Sequence, residues 1–193
     1  MHPNYPSLEA QRQQFAERRL LAMPLAELVV WLVIGLAGLW LPAPVVVWVL
    51  FIGTGSIAYL GILFSKFTGE DFLDKTRPKN TFDHLFFLSM GMSLLVFAIA
   101  LPFFRADYTS LPLSVGILAG LMWLPLSWIL QHWVGIFHGV ARTVLVLGAW
   151  VAFPGRRFVV VPLVIVGLYA VTIVVLEQRW RGLRRPQQLA TSS

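Results

Sequence analysis

The chain alternates long apolar runs with short polar connectors, and six runs have the length of a membrane span. They are Leu21–Leu41, Pro44–Phe64, Leu85–Phe104, Leu111–Leu130, Trp133–Phe153 and Phe158–Leu176. Each approaches the ~20 residues that cross ~30 Å of hydrocarbon at about 1.5 Å per residue. Apolar side chains run all round each segment, without the polar stripe of a soluble helix. Spanning strands would be shorter and alternating. In hydrocarbon every backbone N–H and C=O needs an internal partner. The pattern therefore predicts an all-α, polytopic membrane helical bundle with about six transmembrane helices.

One boundary is not marked by an ordinary turn cluster. Leu111 to Phe153 is apolar almost throughout. A single helix of that length would rise about 65 Å, twice the hydrocarbon thickness. It must fold back, and Gln131-His132 is its most polar point. A tight hairpin is expected there, flanked by Trp128 and Trp133 as interfacial tryptophans.

The connectors carry nearly all the charge. The N-terminal segment holds Arg12, Arg18 and Arg19. The second connector holds Lys66, Lys75, Arg77 and Lys79, and the C-terminal tail holds Arg179, Arg181, Arg184 and Arg185. The alternate connectors hold only Arg105, Arg156 and Arg157. Eleven basic residues against three is a positive-inside bias that places both termini in the cytoplasm. With Arg142 these make up all 15 Lys and Arg residues. The expected organisation is a cytoplasmic or interfacial segment over 1–20, a six-helix domain over 21–180 and a basic, disordered tail over 181–193. Within the first segment, Pro6-Ser7 signals a helix start, and the helix reads as lying on the membrane surface. The first span is longer than a ~7–15-residue signal core, which points to a retained anchor. The implied location is the cell (inner or plasma) membrane.

Composition narrows the function classes. Of 193 residues 58% are hydrophobic and 12% charged, which leaves no room for a sizeable domain outside the membrane. The absence of cysteine excludes disulfides, thiolate metal sites and cysteine nucleophiles. The net charge of +6 sits beside the spans, where it suits orientation and anionic headgroups. No basic stripe with interleaved aromatics stands apart from a span, so no nucleic-acid partner is expected.

Arg142 is the exception to this charge pattern. It falls near the middle of the fifth run, where an arginine costs about 2.5–3.5 kcal/mol on insertion scales. At 100° per residue, Gln131, Gly135, His138, Gly139 and Arg142 fall on one helix face. Gly135-xxx-Gly139 and Gly116-xxx-Gly120 are small-xxx-small patterns that let helices approach closely. Arg142 should therefore point into the bundle. Glu27 is the best candidate partner, at about 9 Å in from Leu21 and in the same leaflet as His138 and Arg142. Two readings stay open for Arg142, an anion- or solute-binding pocket or a structural arginine tied to backbone carbonyls or to one acid, and Glu27 is alternatively an interfacial residue that reaches headgroups. His138 stands i,i+4 from Arg142 and is either a proton-linked switch or a hydrogen-bonded structural group. Asp83, His84 and His132 read as solvated interfacial residues. No metal or cofactor is expected, since neither HxxxH nor HExxH spacing occurs and Glu70, Asp71 and Asp74 lack the EF-hand spacing. No catalytic constellation is visible, and Gly53-Thr54-Gly55-Ser56 is too short for a nucleotide loop and suits close packing or a cavity wall.

Three short segments carry a resemblance. They are Leu63-Phe64-Ser65-Lys66 with Gly69, Trp123-Leu124-Pro125-Leu126-Ser127-Trp128, and Arg18-Arg19 before Pro24. From Arg18 to Trp180 the layout resembles a family of small bacterial six-span membrane proteins known only as a domain of unknown function. The resemblance implies the architecture and no activity. Function is then expected in one of three classes. A small transporter, channel or receptor would bind a small anionic or polar solute in a cytoplasm-facing pocket around Arg142. A structural or accessory subunit would have a membrane partner or a second copy of itself. A lipid-modifying enzyme would need a nucleophile and base that are not apparent. In every case the first partner is the lipid bilayer.

Overall fold

A computed structural model of the chain describes residues 6–74 and 80–191. The basic residues Lys75, Arg77 and Lys79 of the second connector lie outside the described residues. The described residues are mainly helical: α1 (Leu8–Ala16), α2 (Ala22–Trp40), α3 (Ala43–Thr68), α4 (Thr81–Leu95), α5 (Phe97–Ala106), α6 (Leu111–Gly120), α7 (Trp123–Leu130), α8 (Val134–Ala152) and α9 (Arg157–Thr191). Six segments are long and apolar enough to cross a membrane: α2, α3, α4–α5, α6–α7, α8 and α9 with its leading turn.

Two spans are broken, and for α6–α7 the sequence supplies a cause. Pro125 has no N–H to give Leu121 and its ring crowds that carbonyl. The helix stops at Gly120 and restarts at Trp123. The fold-back falls at the expected place. Gln131 ends α7 in a left-handed conformation with φ 49°, and the Ser127 hydroxyl donates to the His132 carbonyl at 2.7 Å.

The core is built by α2, α3, α6, α8 and α9. α2 packs against α3 and α9, and α8 packs against α6, α7 and α9. Trp31, Ile34, Leu50, Val146 and Ile165 are fully enclosed there. The α4–α5 span is peripheral: only 6% of its apolar stretch is buried, against 50% for α6–α7. No extended contact joins α3 to α4.

The N-terminal segment does more than lie on a surface. Phe15 is inserted against Phe82 and Phe86, so α1 covers the end of the bundle formed by α4 and α7. Polar bonds fasten it. Arg18 pairs with Asp83, Arg19 pairs with Glu177 at 2.8 Å, and Arg12 donates to the Ile129 carbonyl at 2.9 Å. Arg179 donates to the Ala16 carbonyl at the end of α1, where the helix dipole favours a cation. Gln11 accepts from the Thr81 amide at 2.9 Å. The hydrogen bond it donates to Glu177, with charge attraction, raises the Arg19 guanidinium above its ordinary value.

The same end holds a carboxylate cap. Gly69, at φ 77°, terminates α3 and turns the chain back. Glu70 is then buried and accepts from the Leu21 and Ala22 amides at 2.8 and 2.9 Å. These are orphan donors at the start of α2, where negative charge is favoured. Pro24 sits in that first turn without a donor to satisfy.

At the opposite end Arg157 lies 3.6 Å over the Trp150 ring and donates to Thr109. Asp107 accepts from the Thr109 hydroxyl at 2.7 Å. Those Thr109 bonds, with Arg157 nearby, hold the Asp107 carboxyl below its usual range. From this end α9 runs back through the bundle to Thr191. Its 35 residues rise about 52 Å, well beyond the hydrocarbon.

Close helix approach makes one test direct. A Cβ on Gly135 would lie 2.5 Å from the Trp123 carbonyl oxygen, whereas one on Gly167 meets nothing within 4 Å. Gly135→Ala should destabilise by about 1–3 kcal/mol through overpacking. Gly167→Ala should leave stability equal or slightly higher. Thermal unfolding in detergent micelles separates them, and equal melting temperatures would refute this packing.

Candidate functional site

Arg142 is fully enclosed in α8, and the surroundings that hold it are neutral. Its Nε donates to the Gly116 carbonyl at 2.5 Å and its Nη1 donates to the Tyr169 hydroxyl at 2.7 Å. The guanidinium carbon lies 5.7 Å from the Trp31 ring centre and 5.3 Å from that of Tyr169. Nη2 has no hydrogen-bond partner among the described residues. The break after Gly120 matters here. It places the C-terminal, partly negative end of α6 beside the cation, inside the bundle. A Cβ on Gly120 would fall 2.5 Å from the Arg142 Cδ, so glycine makes room for the arginine stem.

The four glycines lie where helices meet. Gly135 faces Trp123 and Ser127, Gly139 faces Leu124, Gly120 faces Arg142, and Gly116 faces Ile165 and Val146.

His138 is also fully enclosed. Its Nδ1 lies 2.8 Å from the Thr172 Oγ1. Thr172 donates its own hydrogen to the Leu168 carbonyl at 2.8 Å, so Nδ1 carries the proton and donates. The ring stacks on Trp123 at 4.5 Å and lies 4.6 Å from the Tyr169 ring. Nε2 has no partner.

Glu27 does not pair with Arg142: no ion pair within 4.0 Å joins them among the described residues. Its Oε2 accepts from the Trp31 Nε1 at 3.0 Å. Trp31 thus offers its N–H to the carboxylate and a ring face to the guanidinium. Depth placed the two charges in one region, but the side chain one turn beyond Glu27 intervenes. Gln131 is corrected more fully. It is exposed in the hairpin turn outside α8, so the helical phase shared by His138 and Arg142 does not reach it. His84 is exposed and His132 half-buried. Burial, and the positive charge of Arg179, lower the His132 imidazole from its ordinary value.

Two spaces meet at Glu27. A small cavity of about 30 Å³ is lined by Glu27, Glu70, Phe72, Trp123 and Tyr169 among others. A cleft of about 310 Å³ runs between α3 and α4 and is lined by Glu27, Trp31, Thr54, Phe87 and Phe97 among others. Met23, Glu27 and Met122 line both. Arg142 and His138 line neither. No group of three or more potential metal ligands occurs among the described residues.

The sequence reading missed Trp31, Trp123, Tyr169, Thr172 and Glu70. Tyr169 and Thr172 carried a usable signal, as polar groups three residues apart on one face of an otherwise aliphatic run.

The enclosure predicts how Arg142 responds to substitution. Tyr169→Phe leaves Nη1 unsatisfied and should destabilise by about 1–3 kcal/mol, a loss of several degrees in melting temperature. Arg142→Gln should lose more, since Gly120 and the α6 carbonyls then face a void. An unchanged melting temperature for Arg142→Gln would remove the structural role.

No curated protein matches this sequence, and no solved structure matches it. A family model does match, over residues 8–179, which takes in α1 and all the spanning helices up to the Arg179 anchor. The chain belongs to DUF7010, a family of unknown function.

Proposed function

We propose that this chain is a small membrane carrier whose solute engages Glu27. One observation carries the reading: a buried carboxylate with no cationic partner within 4.0 Å among the described residues lines two separate spaces. A charge in the apolar bundle is costly and marks a ligand path by default. Arg142 is better understood as part of the scaffold, because its hydrogen bonds are internal and it lines neither space. The solute site therefore moves from the arginine to the glutamate. Met23 and Met122, which border both spaces, are flexible side chains suited to a movable partition.

Two carbodiimides test this reading. A hydrophobic reagent, dicyclohexylcarbodiimide, reaches carboxyl groups from the bilayer. A water-soluble carbodiimide reaches them from the aqueous end. Both should modify Glu27 in the membrane-embedded protein, as read by peptide mass spectrometry, with Glu27→Gln as the control. Failure of both reagents would make Glu27 a packed structural acid and end the carrier reading.

An accessory role is the second reading, supported by the α4–α5 span. Its small buried share leaves a face that suits a partner helix as well as lipid. A stoichiometric membrane partner retained through purification, with Glu27→Gln phenotypically silent, would favour it.

We place the chain in the cell membrane with both termini in the cytoplasm. The support is the eleven-to-three charge bias, and the Arg19–Glu177 pair that ties both ends of the chain to one end of the bundle. The sequence has no cysteine, so introduced thiols are unique. A membrane-impermeant maleimide should label Gly155→Cys in intact cells and Ser7→Cys only after lysis. The reverse pattern would invert the topology.

A further inference from the structure

The cleft between α3 and α4 has a chemical bias of its own. Its volume of about 310 Å³ is at the lower end of the ~300–1,000 Å³ typical of small-molecule sites. Its wall is apolar and aromatic apart from Glu27 and Thr54. Neither polar neighbour has a donor to spare. The Trp31 N–H is committed to Glu27 at 3.0 Å, and the Thr54 hydroxyl donates to the Leu50 carbonyl at 2.7 Å. An anion entering here would find no free side-chain donor and would face a carboxylate. A small metal ion would find too few oxygens to replace its water shell. A cation with apolar substituents suits every surface present: its charge meets Glu27, and its substituents meet Trp31, Phe87, Phe97 and Met90. Aromatic faces and a thioether both accommodate such a cation.

The cleft also has an open side. α3 and α4 share no extended contact. A Cβ placed on Gly55 or Gly91, which both line the cleft, meets nothing within 4 Å. That side faces hydrocarbon once the spans are in a bilayer. We propose that the α3–α4 cleft binds a hydrophobic monovalent organic cation, admitted sideways from the bilayer and held by the Glu27 carboxylate. This rests on the carrier reading of Glu27 and names the class of solute.

Equilibrium binding of radiolabelled tetraphenylphosphonium to the purified full chain in micelles tests it. Tetraphenylborate serves as the control of matched shape and opposite charge. Saturable binding of the cation alone is expected, weakened about tenfold or more by Glu27→Gln. Gly55→Leu should weaken it similarly by filling the cleft. The open space at Gly55 leaves its melting temperature equal or higher, so this variant decides the matter if Glu27→Gln fails to fold. Equal binding of the borate, or undiminished cation binding in the folded variants, would overturn the proposal. Carbodiimide labelling of Glu27 without cation binding would reject the solute class and leave the carrier site standing. Absence of both labelling and cation binding would reject both.

Discussion

A guanidinium at the centre of an apolar bundle has to be satisfied without water, and here no carboxylate does it. Arg142 is held by the Gly116 carbonyl, the Tyr169 hydroxyl and two aromatic faces. Each contact fixes a different element. The carbonyl belongs to α6, the phenol to α9 and the indole to α2. Four of the core helices are thereby registered on one side chain. The break after Gly120 is part of the same solution, because it turns the negative end of α6 toward the interior instead of the interface. Dipolar stabilisation of this kind is worth about 0.3–2 kcal/mol, on the scale of the insertion cost it offsets.

This arrangement separates the two intramembrane charges by role. The arginine is enclosed by its own hydrogen bonds and stacked rings, while Glu27 keeps a boundary with open space. Trp31 connects them: one atom serves the acid and the ring face serves the base. The molecule accordingly divides into a firm assembly of α2, α3 and α6–α9 and a loosely seated α4–α5 span. Stability resides mainly in the first, and the second borders the cleft.

Sequence patterning made the six spans and the hairpin legible, because bilayer thickness is a hard constraint on helix length. It also singled out Arg142 and predicted that it faces inward, since lipid exposure would be too costly. The partner was harder. Depth brought Glu27 and Arg142 into one layer, but which atoms touch depends on helix rotation and on Trp31, and a count of 1.5 Å per residue carries neither. Gln131 was misplaced because helical phase was extended through a residue that ends a helix. Glu70 read as one of several loop acids, and nothing local distinguishes a solvated carboxylate from one that a glycine turn folds back onto another helix. The break at Gly120 was visible in principle at Pro125, where the missing donor is a property of the residue itself.

The Glu70 cap and the α1 fastenings also impose an order of assembly. As the chain leaves the ribosome, the first span emerges with two unpaired amides at its start, and the acid that satisfies them follows about fifty residues later, after the second span. The bonds that secure α1 come later still. Asp83 arrives with the third span, Ile129 with the fourth, and Glu177 and Arg179 only with the last. Of the described helices, α1 is therefore locked only after the spans that follow it have emerged, and closure of that end of the bundle waits for α9.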